Sequence, residues 1–206
     1  MVCLVLAIAL SIAATRLDPF PFDVPIILIV QAPDSAVLDG LARGLSWIGR
    51  FVPMAVIGAA VVVLLWSRGA PQEAAVIGAA ALLSPLNWLL KAAVNRERPS
   101  EDVAGVLEHA SGLGFPSGHA FGAMLLFAVI AAVAAPRIRQ PGRRAAVVAS
   151  CLGLALLIGW SRVRLGAHWP SDVLGGWLWG AGMGLLLVEA SSRRSPIRSR
   201  AGPVVS

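Results

Sequence analysis

Charge is scarce in this chain: only 14% of its 206 residues are Asp, Glu, Lys or Arg, against 57% hydrophobic residues and a mean hydropathy of +0.78. So little charge excludes an ordinary soluble domain and makes this a membrane protein. Cysteine is scarcer still. Cys3 and Cys151 both sit in apolar runs with no C-x-x-C spacing, which excludes a paired metal or redox motif and leaves them as small buried hydrophobes. The 11 acidic residues nowhere form the carboxylate cluster that holds Mg2+ or a two-metal centre. A net charge of +6 raises the question of nucleic acid. The arginines, however, lie beside hydrophobic segments instead of forming a solvent-facing basic surface with aromatics, so no nucleic-acid partner is expected.

The apolar runs recur near the roughly 20 residues a helix needs to cross the hydrocarbon core. They place about six spans, at about 1–15, 51–66, 74–94, 117–135, 145–161 and 172–189. The expected fold is therefore all-α, a polytopic membrane bundle of about six transmembrane helices forming one domain over about 1–190. Its motif-bearing core covers about 74–189, and a basic cytoplasmic tail over 191–206 is expected to be disordered. The first span has no preceding Lys or Arg and no clean A-x-A site, so it is expected to be retained, not cleaved as a signal peptide. Val24 to Ala32 is too short to span and is fenced by Pro25 and Pro33, which suits an interfacial or re-entrant segment. Val37, Leu38, Leu41, Leu45 and Ile48 then fall at helical spacing, as an interfacial helix or as a tilted start to the second span.

Arginine placement orients the bundle. Arg137, Arg139, Arg143 and Arg144 share one short loop, and Arg193, Arg194, Arg198 and Arg200 crowd the tail. Six spans put both on one side, which the positive-inside rule makes cytoplasmic. Three polar clusters then fall together at the opposite, extracytoplasmic end of a bacterial plasma-membrane protein, which in a Gram-negative host is the periplasmic side. They are Lys91-x6-Arg98-Pro99, Pro116-Ser117-Gly118-His119, and Ser161-Arg162-x5-His168-x3-Asp172.

Each cluster has a plain chemical reading. Lys91 and Arg98, seven apart, would share a face on a continuing helix and can neutralise a phosphoryl group, although a charge at a span end also snorkels to headgroups. Ser117 and Gly118 stand where a long apolar helix begins, so Ser117 can cap it and Gly118 lets an anion approach the amides. A carboxylate four residues after a histidine can orient its ring, so Asp172 would leave one nitrogen of His168 free as a nucleophile. Arg162 adds a planar, two-pronged cation, and His119 a second imidazole for acid duty. His109 has no such companions and reads as solvated. Gly176, Gly180 and Gly184 repeat every four residues and allow close helix contact, within the bundle or between two copies. Trp169, Trp177 and Trp179 suit an aromatic belt or bundle packing.

Together the clusters resemble the three signature motifs of the type 2 phosphatidic acid phosphatase superfamily, which also includes vanadium haloperoxidases. The likeness covers about the last two-thirds of the chain and matches motif order, spacing and placement between spans. It implies that His168 attacks phosphorus to form a phosphohistidine, that Asp172 holds its ring and that His119 protonates the leaving oxygen. It further implies that Lys91, Arg98, Arg162, Ser117 and the Gly118 amide bind the phosphoryl oxygens. The expected enzyme is a membrane phosphatase acting on a lipid monoester or diphosphate such as phosphatidic acid, phosphatidylglycerol phosphate, undecaprenyl diphosphate or a lipid A phosphate. It is expected to use no metal and no cofactor. The six spans speak against a haloperoxidase. Ionisable residues gathered at one end, without an inverted repeat, speak against a transporter. Both histidines and Asp172 are present, which leaves a silent phospholipid-binding bundle without a motive.

Overall fold

The computed structural model describes residues 1–194, and among these there are helices and no strands. Nine α-helices follow one another: α1 (Val2–Ala14), α2 (Asp23–Gln31), α3 (Ala36–Ile48), α4 (Phe51–Ser67), α5 (Pro71–Leu83), α6 (Asn87–Val94), α7 (Gly118–Ala134), α8 (Pro141–Arg164) and α9 (Pro170–Arg194). The last helix carries the chain past residue 190, and the rest of the basic tail lies outside the described residues.

The chain is an integral membrane protein; helix length and composition support four to five spans and do not confirm six. Four stretches are long and apolar enough to cross: Pro71–Val94, Gly118–Arg137, Pro141–Arg164 and Pro170–Arg193. At 1.5 Å per residue, the 17 residues of α4 reach about 26 Å and the 13 of α1 about 20 Å, short of the hydrocarbon thickness of about 30 Å. Helices α2 and α3 bend by 118° at their junction, so together they make a broken span or a re-entrant hairpin. Helix α3 ends at Gly49 and is separate from α4, which excludes the reading of residues 34–50 as an early start to the second span. The third span is interrupted by a 3-10 turn, Ser84–Leu86, where Pro85 has no N–H to continue the ladder.

Helix α7 is the axis. Of its span window 61% lies inside the protein, against 28–33% for the other three, whose outward faces are left to lipid. Phe121, Leu125 and Val129 of α7 meet Met54 of α4, Ile77 of α5 and Ile158 of α8 in the main core. The glycine stripe of α9 packs within the chain, against α7: a Cβ at Gly176 would lie 2.7 Å from the Ser117 carbonyl oxygen, and one at Gly180 2.6 Å from that of Phe121. The tryptophans also pack inward, Trp177 donating to the Ala155 carbonyl at 3.2 Å and Trp179 to Ser11 Oγ at 3.0 Å. At one end of the bundle Arg137 pairs with Glu73. The ends of α6 and α8 and the starts of α7 and α9 gather at the other.

Gly180→Leu is expected to force backbone apart and cost about 1–3 kcal/mol, read as a lower thermal midpoint in detergent. Gly40→Ala, where a Cβ meets nothing within 4 Å, should leave the midpoint unchanged or slightly raised.

Candidate active site

Helix α6 stops at Asn95, whose left-handed backbone (φ 52°) turns the chain away. Arg98 is therefore not on the helix that bears Lys91, contrary to the shared-face expectation, and the two meet through the following loop instead. Nor does Lys91 snorkel. Its ammonium donates to the carbonyls of Leu113 at 2.5 Å and Gly114 at 3.1 Å, drawing the loop over the α7 start. Arg98 donates through Nε to the Gly112 carbonyl at 2.8 Å and through Nη1 to that of Ala167 at 2.7 Å. The same Nη1 lies 3.0 Å from Nε2 of His168.

His168 sits in the turn between α8 and α9, 2% exposed. Its Nδ1 is 3.3 Å from Asp172 Oδ2, in the first turn of α9, which Pro170 opens. Because Asp172 accepts and Arg98 only donates, the ring proton belongs on Nδ1 and the lone pair on Nε2 faces Arg98. Burial, reinforced by the cations Arg98, Lys91 and Arg162, holds the imidazole well below its ordinary pKa. The ring is thus neutral at physiological pH, with a free electron pair.

Ser117 and His119 come from the start of α7, which the Ser117 N–H ties to the Asp172 carbonyl at 2.9 Å. The expected cap is absent: Ser117 is the N-cap residue, yet its hydroxyl makes no capping bond and has no partner. His119 Nε2 and Arg162 Nε are likewise buried and unpartnered. Orphaned polar atoms are expensive unless something polar completes them. A Cβ at Gly118 would lie 3.1 Å from Asn87 Nδ2, so a side chain there would push the Asn87 amide aside.

Arg162, 1% exposed, closes the opposite side. It pairs with Glu108 at 3.1 Å and donates to Ser46 Oγ, which itself donates to Glu108 at 3.0 Å. Burial pushes the Glu108 carboxyl up, but Arg162, the Ser46 hydroxyl and Arg50 outweigh it and hold the group below the usual carboxylate range. A cavity of about 300 Å3 opens beside these groups, with Lys91, Gly118 and His119 at its polar end and Phe51, Met54 and Trp88 along its apolar wall.

All eight residues singled out in the three clusters therefore lie at one end of the bundle. His109 is exposed and lies 3.7 Å from Glu101, and the Ser161 hydroxyl is spent on the Ile158 carbonyl of its own helix at 2.6 Å. Ser46, Asn87, Arg96 and Glu108, buried or half-buried around the same groups, were not singled out. An arginine two residues before Arg98 and an acid beside His109 were the available signals.

Arg162→Lys keeps the charge and loses the fork, so kcat/KM for phosphate-ester hydrolysis is expected to fall about 10–100-fold. A near-normal rate would remove Arg162 from the pocket.

The PAP2 superfamily model matches residues 72–196. The chain is 39% identical over 103 residues to phosphatidylglycerophosphatase B of Bacillus subtilis, a match covering 50% of this chain and 47% of that enzyme. It thus spans about half the length of that relative. It is also 30% identical over 187 residues to decaprenylphosphoryl-5-phosphoribose phosphatase of Mycobacterium tuberculosis, covering 84% of this chain and 95% of the relative. Among solved structures, the transmembrane PAP2-type phosphatidylglycerolphosphate phosphatase of Bacillus subtilis superposes with a TM-score of 0.77 at 26% identity, over 95% of this chain and 97% of that one. Motif placement, bundle and family model agree, and the chain belongs to the PAP2 superfamily.

Proposed function

We propose that this protein is a membrane phosphatase that hydrolyses a lipid phosphate monoester or diphosphate through a phosphohistidine on His168. The observation that carries the reading is the set of incomplete groups around one point. Ser117 Oγ, His119 Nε2 and Arg162 Nε are buried without partners, next to Lys91, Arg98 and a neutral His168. A tetrahedral dianion bound among them would accept from the donors in this set and leave the His168 Nε2 lone pair facing phosphorus. The named relatives act on a phosphatidylglycerol phosphate and on a decaprenyl-linked sugar phosphate, which supports a lipid as the phosphate's carrier. The apolar wall of the cavity beside His119 supports it too, because a hydrocarbon tail can lie there while the phosphate reaches the cations.

In this reading the entering phosphoryl group replaces the lone pair of His168 Nε2 as the partner of Arg98. Nε2 then attacks phosphorus while the Nδ1 proton stays hydrogen-bonded to Asp172, whose charge stabilises the imidazolium as it forms. The bond to the leaving oxygen breaks, and His119, entering this step as the imidazolium, gives that oxygen a proton and becomes neutral. Lys91, Arg98, Arg162, the Ser117 hydroxyl and the Gly118 amide hold the three equatorial oxygens and gain strength as charge accumulates in the transition state. Water, deprotonated by His119, opens the phosphohistidine and releases phosphate. The cations and amides supply the electrostatic stabilisation, so the reaction is proposed to need no metal. By the arginine distribution, the site faces the extracytoplasmic leaflet.

Purified protein in detergent is expected to release phosphate from at least one of phosphatidic acid, phosphatidylglycerol phosphate, undecaprenyl diphosphate and lipid A, at an unchanged rate in EDTA. His168→Ala should remove this activity while the protein stays folded. Retained turnover in that variant would contradict the nucleophile assignment, and a rate lost to EDTA and restored by Mg2+ would contradict the metal-free reading.

A further inference from the structure

Behind His168 lies a buried charge cluster that the three motifs do not include. Arg96, whose side chain is 0% exposed, donates from Nη1 to Asp172 Oδ1 at 2.8 Å and to Ser171 Oγ at 2.6 Å. Its Nη2 donates to Asp23 Oδ2 at 2.7 Å, and its Nε to Asp18 Oδ1 at 3.1 Å. Its guanidinium lies over the Phe20 ring, 5.2 Å from the centroid. Asp23 is also fully buried. It accepts from the Ser171 N–H at 2.8 Å, the Ser171 hydroxyl at 2.7 Å and the Phe20 N–H at 2.9 Å.

This arrangement divides the Asp172 carboxylate between two tasks. One oxygen is taken by Arg96, and the other accepts from the Trp169 N–H at 3.1 Å and faces Nδ1 of His168. A carboxylate 0% exposed in a membrane bundle cannot stay ionised without a buried cation. Arg98 and Lys91 are occupied with loop carbonyls, which leaves Arg96 as the cation in direct contact. Arg96 is in turn aimed by Asp23 and Asp18, which flank the turn between α1 and α2. That segment lies outside the residues 72–196 matched by the family model. The segment that carries Asp18 and Asp23 therefore contributes to the site through Arg96.

Resting on the phosphatase reading above, we propose that Arg96, anchored by Asp23, is a positioning residue that clamps Asp172 so that its Oδ2 is presented to Nδ1 of His168. Arg96 does not touch substrate; it acts through Asp172. A structural ion cluster that merely pins α2 to α9 would contain the same contacts, so the test must separate orientation of the imidazole from integrity of the pocket.

The full-length protein and its Arg96→Lys and Asp23→Asn variants are compared in detergent. Lysine keeps the buried charge but cannot hold Asp172, Ser171 and Asp23 together. For Arg96→Lys, kcat on p-nitrophenyl phosphate is expected to fall about 10–100-fold, while KM and inhibition by inorganic phosphate stay within about twofold of wild type. Asp23→Asn should shift kcat in the same direction by a smaller factor. In the Asp172→Asn background, Arg96→Lys should add no further loss. With only three histidines in the chain, 15N-histidine labelling resolves the His168 Nδ1–H signal, which is expected to move in Arg96→Lys. A wild-type kcat with an unmoved His168 signal overturns the proposal. A loss of kcat matched by an equal loss of phosphate affinity and of thermal midpoint also overturns it, as damage to the whole pocket. Wild-type protein that turns over neither aryl nor lipid phosphate would count against the phosphatase reading, and the histidine signal would still decide the clamp.

Discussion

The site depends on the backbone contact between α7 and α9. Gly176 and Gly180 let the two helices approach until a side chain of any kind at either position would strike the α7 main chain. At the shared end, the Ser117 N–H reaches the Asp172 carbonyl at 2.9 Å. Both helices begin there, so their first turns lie side by side, and Ser117 and His119 are delivered next to Asp172 and His168. With bulkier residues in the stripe, the same motif residues would remain in the sequence but stand apart in space.

Electrostatics then sets what such a place can hold. Lys91, Arg98 and Arg162 converge where the bundle is largely closed to water, and each carries a compensating partner in the ligand-free protein. Loop carbonyls serve Lys91 and Arg98, and Glu108 serves Arg162. In the proposed mechanism phosphoryl oxygens replace these partners, whereas Asp172 Oδ1 is held from behind by Arg96, which is itself bound to Ser171 and Asp23. The proposed pocket thus combines exchangeable contacts facing the cavity with a buried ion cluster behind His168. Binding can change the first without disturbing the aim of the imidazole.

Much of this was legible in the sequence, for physical reasons. Long apolar runs reveal helices and their ends, and the polar clusters stand out because charge is scarce in this chain; alternation of the spans brings the eight motif residues to one end. What escaped was three-dimensional. Asn95 ends α6 by a left-handed turn, so the spacing of Lys91 and Arg98 did not translate into a common helix face. Asp23 and Arg96, like Ser46 and Glu108, join segments far apart in the chain, and no local pattern announces such pairs. The position of Ser117 favours a cap, yet its hydroxyl makes no capping bond and stands without a partner. Helices α1 and α4 end close to the bounds of their apolar runs, but at 13 and 17 residues they are shorter than the four stretches long and apolar enough to cross.

The central claim is that the phosphoryl group passes through His168. The most direct measurement is rapid quenching of the protein during turnover of a 32P-labelled lipid phosphate, followed by mapping of the labelled peptide. The account predicts an acid-labile, alkali-stable adduct on His168 that forms and decays fast enough to support turnover. Turnover with no adduct, or with label on a carboxylate, would contradict it.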